Sequence, residues 1–272
     1  MFQKEAIVRL LRDNDPATVL LLKEQLVESG SDGIPALRDL LALDDAAVTE
    51  HVREVLEKIQ TDDANDEMLL CAHLFPEHGD LEAAWWLLTS CFDPDAPIGK
   101  LRRKLDAWGR RLRMLVARAE SSRERLQVLT TFMAEDLGFR GNAEEYYDPK
   151  NSLLSDLIET RLGIPISLAV LYIIIGRRAN MQIDGINMPG HFIARYERIL
   201  FDPFHGGRIL SRPDCEAILA RQHLKTESSY FAPASPRLVF LRMLANLLFI
   251  FERAGDRRKH GLVMNWLKAL DR

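Results

Sequence analysis

The sequence is short of the features that mark secreted, membrane-spanning and cofactor-binding proteins. Its 272 residues include three cysteines, and none of them forms a CxxC pair, which argues against a disulfide scaffold or a zinc ribbon. The longest apolar run, residues 162–175, is shorter than the roughly 20 residues of a membrane-spanning helix, so no membrane partner is expected. No glycine-rich phosphate loop or dinucleotide fingerprint occurs, and we expect no cofactor.

An excess of one charge sign is also absent. The chain carries 36 Lys and Arg against 40 Asp and Glu, which gives no electrostatic reason to expect a nucleic-acid partner. The first residues reach acidic side chains too soon for a signal peptide, and single, scattered cysteines fit a reducing compartment. The sequence therefore predicts a cytoplasmic protein.

One local exception to the even charge balance lies in an amphipathic helix predicted at residues 98–119. Its polar face carries seven basic residues, Lys100, Arg102, Arg103, Lys104, Arg110, Arg111 and Arg113. A face of this kind is usually only solvated, and the alternatives are an acidic partner, a membrane surface or RNA.

The N-terminal 60 residues predict stacked helices. We predict a helix at residues 16–28 and a turn at 30–33. A second helix runs from Ile34-Pro35 through residue 43, and Asp44-Asp45 begins a third. Opening Asp-Pro, apolar stripes and short acidic turns resemble a HEAT-type repeat, and a plain helical cap is the alternative.

Composition also suggests how the chain divides. Residues 61–67 are polar and acidic and form the best candidate for a boundary. We therefore predict an N-terminal helical region at 1–62, a core domain at 63–235 and a C-terminal helical hairpin at 236–272, made of helices at 236–254 and 257–270.

Ser167 stands at the start of a very apolar helix. Gly163 ends one helix, and Pro165 suits the first position of the next, where its missing N–H is no loss. Residues 168–175 have no polar face, so this helix should be buried on every side. Ser167 would then lie at the positive end of a central helix, where a nucleophile or an oxyanion is stabilised. The alternative is a serine that only satisfies a backbone N–H.

Downstream of this helix, a histidine and an aspartate fall on predicted strands. Strands are expected at 181–188, 191–196 and 198–201, with a break at Pro189-Gly190. If the second turn is centred between residues 196 and 197, His191 faces Asp202 across the strand pair, about 4.5–5.5 Å apart at Cβ. That spacing allows a hydrogen bond between the imidazole and the carboxylate.

These residues belong to a series of short motifs. In order they are Phe139-Arg140-Gly141-Asn142, Tyr146-Tyr147-Asp148-Pro149, Asn151-Ser152, Gly163-Ile164-Pro165-Ile166-Ser167, Pro189-Gly190-His191-Phe192 and Asp202-Pro203-Phe204. Between about residues 81 and 254 the chain resembles the transglutaminase-like core 2 family, also called the SirB-type family. The resemblance implies a mainly helical α+β fold with a papain-like core and a small antiparallel sheet, flanked here by the N-terminal helices and the C-terminal hairpin.

The same resemblance implies a catalytic constellation with one departure. In the wider superfamily a Cys begins the helix, and a His and an Asp lie on neighbouring strands. By position the nucleophile is Ser167, the base His191 and the orienting acid Asp202, so that a serine replaces the cysteine. A thiol can be ionised by a helix N-terminus and an imidazolium, whereas a hydroxyl needs a base to remove its proton during attack.

Two further expectations concern the surroundings of this site. The Ser167 backbone N–H and the Asn151 amide are candidate oxyanion donors, and Asn151 alternatively caps a helix that begins at Ser152. The potential metal ligands in this part of the sequence are His191, Asp202, His205, Cys215 and His223. No pair in that set has the spacing of a known ligand motif, so no metal is expected.

Three functions follow from these features. The first is a transglutaminase-like protein that is non-catalytic or weakly active and serves protein interaction or regulation, with a protein or peptide as partner. The second is a serine hydrolase or acyltransferase acting on a peptide or amide bond. An RNA-binding protein is the third. The sequence leaves the enzyme status and the oligomeric state open.

Overall fold

Helices dominate the computed structural model, which describes residues 4–43 and 45–271. The helices in these residues are α1 (Lys4–Leu11), α2 (Pro16–Glu28), α3 (Gly30–Leu41), α4 (Ala46–Leu74), α5 (Leu81–Phe92), α6 (Ile98–Val116), α7 (Ser122–Thr131), α8 (Leu154–Thr160), α9 (Pro165–Arg178), α10 (Arg212–Arg221), α11 (Pro236–Ala254) and α12 (Arg257–Leu270). The strands are β1 (Arg140–Gly141), β2 (Leu162–Gly163), β3 (Ile183–Ile186), β4 (Ile193–Tyr196), β5 (Ile199–Asp202) and β6 (Arg208–Leu210). The predicted mainly helical α+β fold with a small antiparallel sheet is confirmed.

Proline and capping residues set several helix starts where the sequence predicts them. Helix α9 begins at Pro165, and α11 and α12 have the predicted bounds. Asp15 caps α2 by accepting hydrogen bonds from two backbone N–H groups of its first turn. Within the described part of the chain, no helix combines the length and the apolar character that crossing a bilayer requires.

One prediction about the N-terminal helices is wrong, because residues 30–33 form the first turn of α3 and not a separate turn. Residues 61–67, where the sequence suggests a boundary, lie inside α4. The acidic stretch can be helical because α4 buries Ala64 and Met68, four residues apart on one face, while Asp63 and Asp66 are exposed. The predicted start of the third helix at Asp44 lies outside the described residues.

Packing divides the chain into two units, which are described separately. The first comprises the described residues up to Met68 together with Ser90–Asp95. Its helices bury an aliphatic cluster that includes Leu11, Leu26 and Val52. The HEAT-like repeat and the boundaries at 62/63 and 235/236 stay predictions.

The second unit, Leu69–Thr89 with Ala96–Arg272, is built around α9. Helix α9 packs on α6, on β3 and β4 and on α11, and its residues from Pro165 to Tyr172 are all buried. Its close contact with α6 occurs at Gly109, where a Cβ atom would lie 2.3 Å from the Arg178 Cβ. The Arg178 guanidinium forms ion pairs with Glu82 and Asp106, with nitrogen–oxygen distances of 2.7 and 2.9 Å.

The sheet of the second unit is antiparallel, in the order β3-β4-β5-β6. Strands β4 and β5 pair Tyr196 with Ile199, so the turn is centred between residues 197 and 198, with Glu197 at φ 53°. The predicted register is therefore wrong by two residues. A shift of two keeps every side chain on its face, since side chains alternate with period two. Strand β6 and the short parallel pair β1–β2 were not predicted.

We expect Gly109→Ala to lower the free energy of unfolding by about 1–3 kcal/mol, because its methyl group would meet the stem of Arg178 in a tight helix contact. Gly261→Ala in α12 is the matched control, since a Cβ there meets open space and alanine favours a helix by roughly 0.5–1 kcal/mol. Urea denaturation measures both. Equal stabilisation of the two variants would contradict the packing described for α6 and α9.

Candidate functional site

His191 and Asp202 form a hydrogen-bonded pair at the sheet. The imidazole Nε2 lies 2.7 Å from the carboxylate Oδ2. Asp202 ends β5, and His191 lies two residues before β4, directly after Gly190, which has φ 73°. In the observed register Asp202 would face Ile193, so the contact with His191 is diagonal and reaches along one face of the sheet. The predicted contact between His191 and Asp202 thus forms, but with a different register of β4 and β5.

A second imidazole binds the same carboxylate oxygen. His205 places its Nδ1 2.7 Å from Asp202 Oδ2, while the backbone N–H of Phe204 donates to Oδ1 at 3.0 Å. The residues from Pro203 to His205 form a 3-10 turn that Asp202 caps, and this turn brings His205 back to the carboxylate. The sequence signal for this contact is a histidine directly after the Asp202-Pro203-Phe204 motif.

Asp202 is almost completely buried, with 2% of its surface exposed. Burial alone would raise its pKa, but the hydrogen bonds and charges of His191 and His205 outweigh that effect and hold the pKa below its ordinary value. The carboxylate is therefore an anion at neutral pH. Each histidine can donate one N–H to it and keep a second ring nitrogen for other contacts.

Ser167 is in the predicted first turn of α9, but its hydroxyl is engaged locally. Its Oγ accepts a hydrogen bond from the Ile164 backbone N–H at 3.0 Å and donates to the Ile164 carbonyl at 3.1 Å. The residue is buried, with 1% exposed. Among the hydrogen bonds of the described residues, none joins Ser167 to His191, whose Nδ1 has no partner there.

Asn151 organises a loop and does not cap a helix. It lies within the 3-10 turn Pro149–Ser152, and Leu153 is the N-cap of α8. Its amide nitrogen donates to the carbonyls of Glu145 and Tyr146, and its Oδ1 accepts from the Asn142 amide at 3.0 Å. Both ends of the side chain are thus used by the loop.

Sequence reasoning missed Tyr172, which lies one and a half turns beyond Ser167 on α9. Its hydroxyl is buried without a hydrogen-bond partner among the described residues. Burial, with the Asp202 charge as a second cause, raises the pKa of this phenol well above its ordinary value. Tyr172 is therefore a neutral, buried dipole beside the carboxylate.

Aromatic side chains lead from His191 to the surface. The ring of Phe204 stands edge-on to His191, with centroids 6.3 Å apart, and Tyr146, Tyr147 and Phe249 follow at centroid steps of 6.2, 5.2 and 5.7 Å. The last three are exposed by 37–47%. We call Phe204, Tyr146, Tyr147 and Phe249 the aromatic row.

Comparison with known proteins identifies the family. The core 2 model of the transglutaminase-like superfamily matches residues 99–245, more than half of the chain. The chain belongs to this superfamily. The match covers the site residues from Asn151 to Asp202.

Curated relatives extend this result. The chain is 37% identical to a UPF0162 protein of Xylella fastidiosa over 47% of this chain and 49% of that protein. It is 32% identical to a UPF0162 protein of Pseudomonas aeruginosa over 64% and 66% of the two chains. It is 26% identical to human F-box only protein 21 over 56% of this chain and 26% of that protein. The chain thus spans about half the length of the Xylella relative, and no solved structure matches.

We expect Asp202→Asn to lower the free energy of unfolding by about 1–3 kcal/mol at neutral pH, since the two imidazoles lose their charged acceptor. The folded pKa of Asp202 is depressed, so its contribution is complete above the unfolded value near 3.9 and is lost as pH falls through the folded pKa. The gap between wild type and variant should therefore narrow below about pH 4 in urea denaturation.

Asp95→Asn, at an exposed carboxylate in a turn, is the control and should match wild type at every pH. A gap at Asp202 that stays constant down to about pH 2 would assign the loss to packing and not to charge.

Proposed function

We propose that this protein is a transglutaminase-like module that binds a protein or peptide segment at the surface beside His191 and does not turn it over efficiently. The proposal covers the function of the second unit, where all the residues concerned lie. The N-terminal helices, which we interpret as HEAT-like, would add a further surface for partners. Among the described residues no disulfide joins the three cysteines, which agrees with a cytoplasmic location.

One observation carries the non-catalytic part of the proposal, namely the pair of hydrogen bonds between Ser167 and Ile164. A serine nucleophile needs its proton directed at a base, and the triad mechanism places that proton on a histidine nitrogen. Here the Ser167 proton is directed at a backbone carbonyl inside the first turn of its own helix. The hydroxyl therefore acts as a helix-start group, which is the structural alternative that the sequence offers.

The binding part of the proposal rests on the aromatic row. Aromatic residues and arginine are enriched at protein interfaces, and tyrosine and arginine are frequent among the residues that dominate the binding energy. Exposed aromatic side chains in a row are therefore typical of a binding surface. Arg253 stacks over Tyr147 at 4.4 Å from the ring centroid, which keeps both side chains ordered at the surface. An extended segment could lie along this row and end near His191.

A specific observation keeps the hydrolase reading as the second candidate. His191 is oriented through Nε2 by a buried, ionised carboxylate, and its Nδ1 has no hydrogen-bond partner among the described residues, as a general base requires. Rotation of the Ser167 hydroxyl away from Ile164 would then have to accompany substrate binding, since catalytic hydrogen bonds often form only in the complex.

A fluorophosphonate probe for serine hydrolases separates the two candidates. We expect no labelling of wild type above the level of Ser167→Ala, because the hydroxyl lacks a base to remove its proton. A serine hydrolase of known activity, labelled in parallel, controls for the probe. Labelling that is present in wild type and absent from both Ser167→Ala and His191→Ala would establish the hydrolase and refute the non-catalytic function.

Binding is tested with a displayed library of random peptides selected on the whole chain. We expect wild type to enrich related sequences and Tyr147→Ala to weaken the binding of the selected peptides by about tenfold or more, as removal of a central aromatic residue does at interfaces. Met114→Ala, at an exposed apolar residue of α6 outside the aromatic row, should bind like wild type. Equal losses in both variants, or no enrichment at all, would refute the aromatic row as a binding surface.

A further inference from the structure

We propose that His191, Asp202 and His205 bind a divalent transition-metal ion such as Zn²⁺ or Co²⁺. The sequence predicts no metal because its ligand spacings match no known motif, but spatial proximity does not require a motif. Among the described residues, these three form the one group of at least three potential ligands, with donor atoms within 4.8 Å of one another. The inference goes beyond the proposed function and holds whether or not Ser167 is a nucleophile.

The donor set selects the class of metal. Two imidazole nitrogens and one carboxylate oxygen suit Zn²⁺, Fe²⁺ and Co²⁺, whereas Ca²⁺ and Mg²⁺ need oxygen ligands throughout. No thiol belongs to the set, which disfavours soft ions such as Cu⁺. A site with two histidines and one carboxylate also leaves coordination positions open for water or for a ligand.

The distances need a small expansion for coordination. Both imidazole nitrogens lie 2.7 Å from Asp202 Oδ2, which is hydrogen-bonding distance. Two ligands bound at about 2.0–2.1 Å in tetrahedral geometry are roughly 3.3 Å apart, so each nitrogen–Oδ2 distance must lengthen by about 0.6 Å. The two nitrogens, which lie within 4.8 Å of one another, must take up the same spacing. His205 can do this at little cost because its side chain is 62% exposed.

The surroundings already fix the carboxylate as a metal site requires. The Phe204 N–H donates to Asp202 Oδ1 and leaves Oδ2 as the converging atom, which is an outer hydrogen bond of the kind that orients metal ligands. The other nitrogens of the two histidines, His191 Nδ1 and His205 Nε2, remain available for similar bonds to solvent or a ligand.

Two of the three ligands border a cavity. Asp202 and His205 line a cavity of about 170 Å³ together with Arg208, Asp214 and Arg221. Arg208 is paired with Asp214 at 2.8 Å, so the entrance carries both charge signs. A hydrated ion is small enough to enter this cavity, where it meets Asp202 and His205 first.

Titration of the chelator-stripped, full-length chain with CoCl₂ tests the site. We expect one Co²⁺ per chain, with visible d–d absorption bands and heat in calorimetry. His205→Gln should weaken binding by at least about tenfold, because loss of an outer hydrogen-bond partner alone costs 10–100-fold. His205 is exposed, so this variant keeps the fold, which circular dichroism verifies.

His78→Gln, at a histidine exposed in a turn outside the group, is the matched control and should bind Co²⁺ like wild type. Absence of d–d bands in wild type, or equal affinity of wild type and His205→Gln, would overturn the metal site. A near-ultraviolet thiolate-to-cobalt band would assign the ion to a cysteine and overturn it as well. None of these results depends on fluorophosphonate labelling or on peptide binding.

Discussion

A carboxylate that has been taken out of water constrains the whole second unit. Burial of an ion costs several kcal/mol unless charged or polar partners surround it, and Asp202 meets this condition with two imidazoles and one backbone N–H. The requirement explains why the 3-10 turn after β5 must fold back and why His191 must approach from the neighbouring strand. It also couples the sheet to α9, since Tyr172 of that helix packs on Phe201 with ring centroids 5.8 Å apart.

Which parts of this arrangement the sequence predicts depends on how local the determining interaction is. Pro165 and Pro236 begin helices through their own ring geometry, so the starts of α9 and α11 need no tertiary information. The β4–β5 register depends instead on the turn conformation. Glu197 has a positive φ there, and this conformation is uncommon for glutamate, so the sequence does not indicate it. The predicted contact between His191 and Asp202 nevertheless forms, because the register differs by two residues and side chains return to the same face of a strand every two residues.

The site shows the same limit at the level of single atoms. Position in the chain predicts that Ser167, His191 and Asp202 lie near one another. The direction of a hydroxyl hydrogen bond is decided instead by the nearest acceptor, which here is the Ile164 carbonyl. Asn151 fails as a helix cap for a similar reason, since three loop groups compete for its amide. Likewise the role of His205 requires the 3-10 turn, and three residues of sequence spacing alone do not establish it.

If Ser167 occupies the position of the superfamily's cysteine, as the resemblance implies, Cys215 does not supply the missing thiolate. Cys215 lies in the same unit, but burial, with the charges of Asp214 and Asp202 as further causes, raises its pKa to about 11, so this thiol stays protonated at neutral pH. The remaining ionised group of the site is the Asp202 carboxylate, whose partners are two imidazoles with open nitrogens. The proposal that this site holds a ligand and does not attack one rests on the combination of a fixed anion, two nitrogen donors and a serine hydroxyl that is bonded to its own helix start.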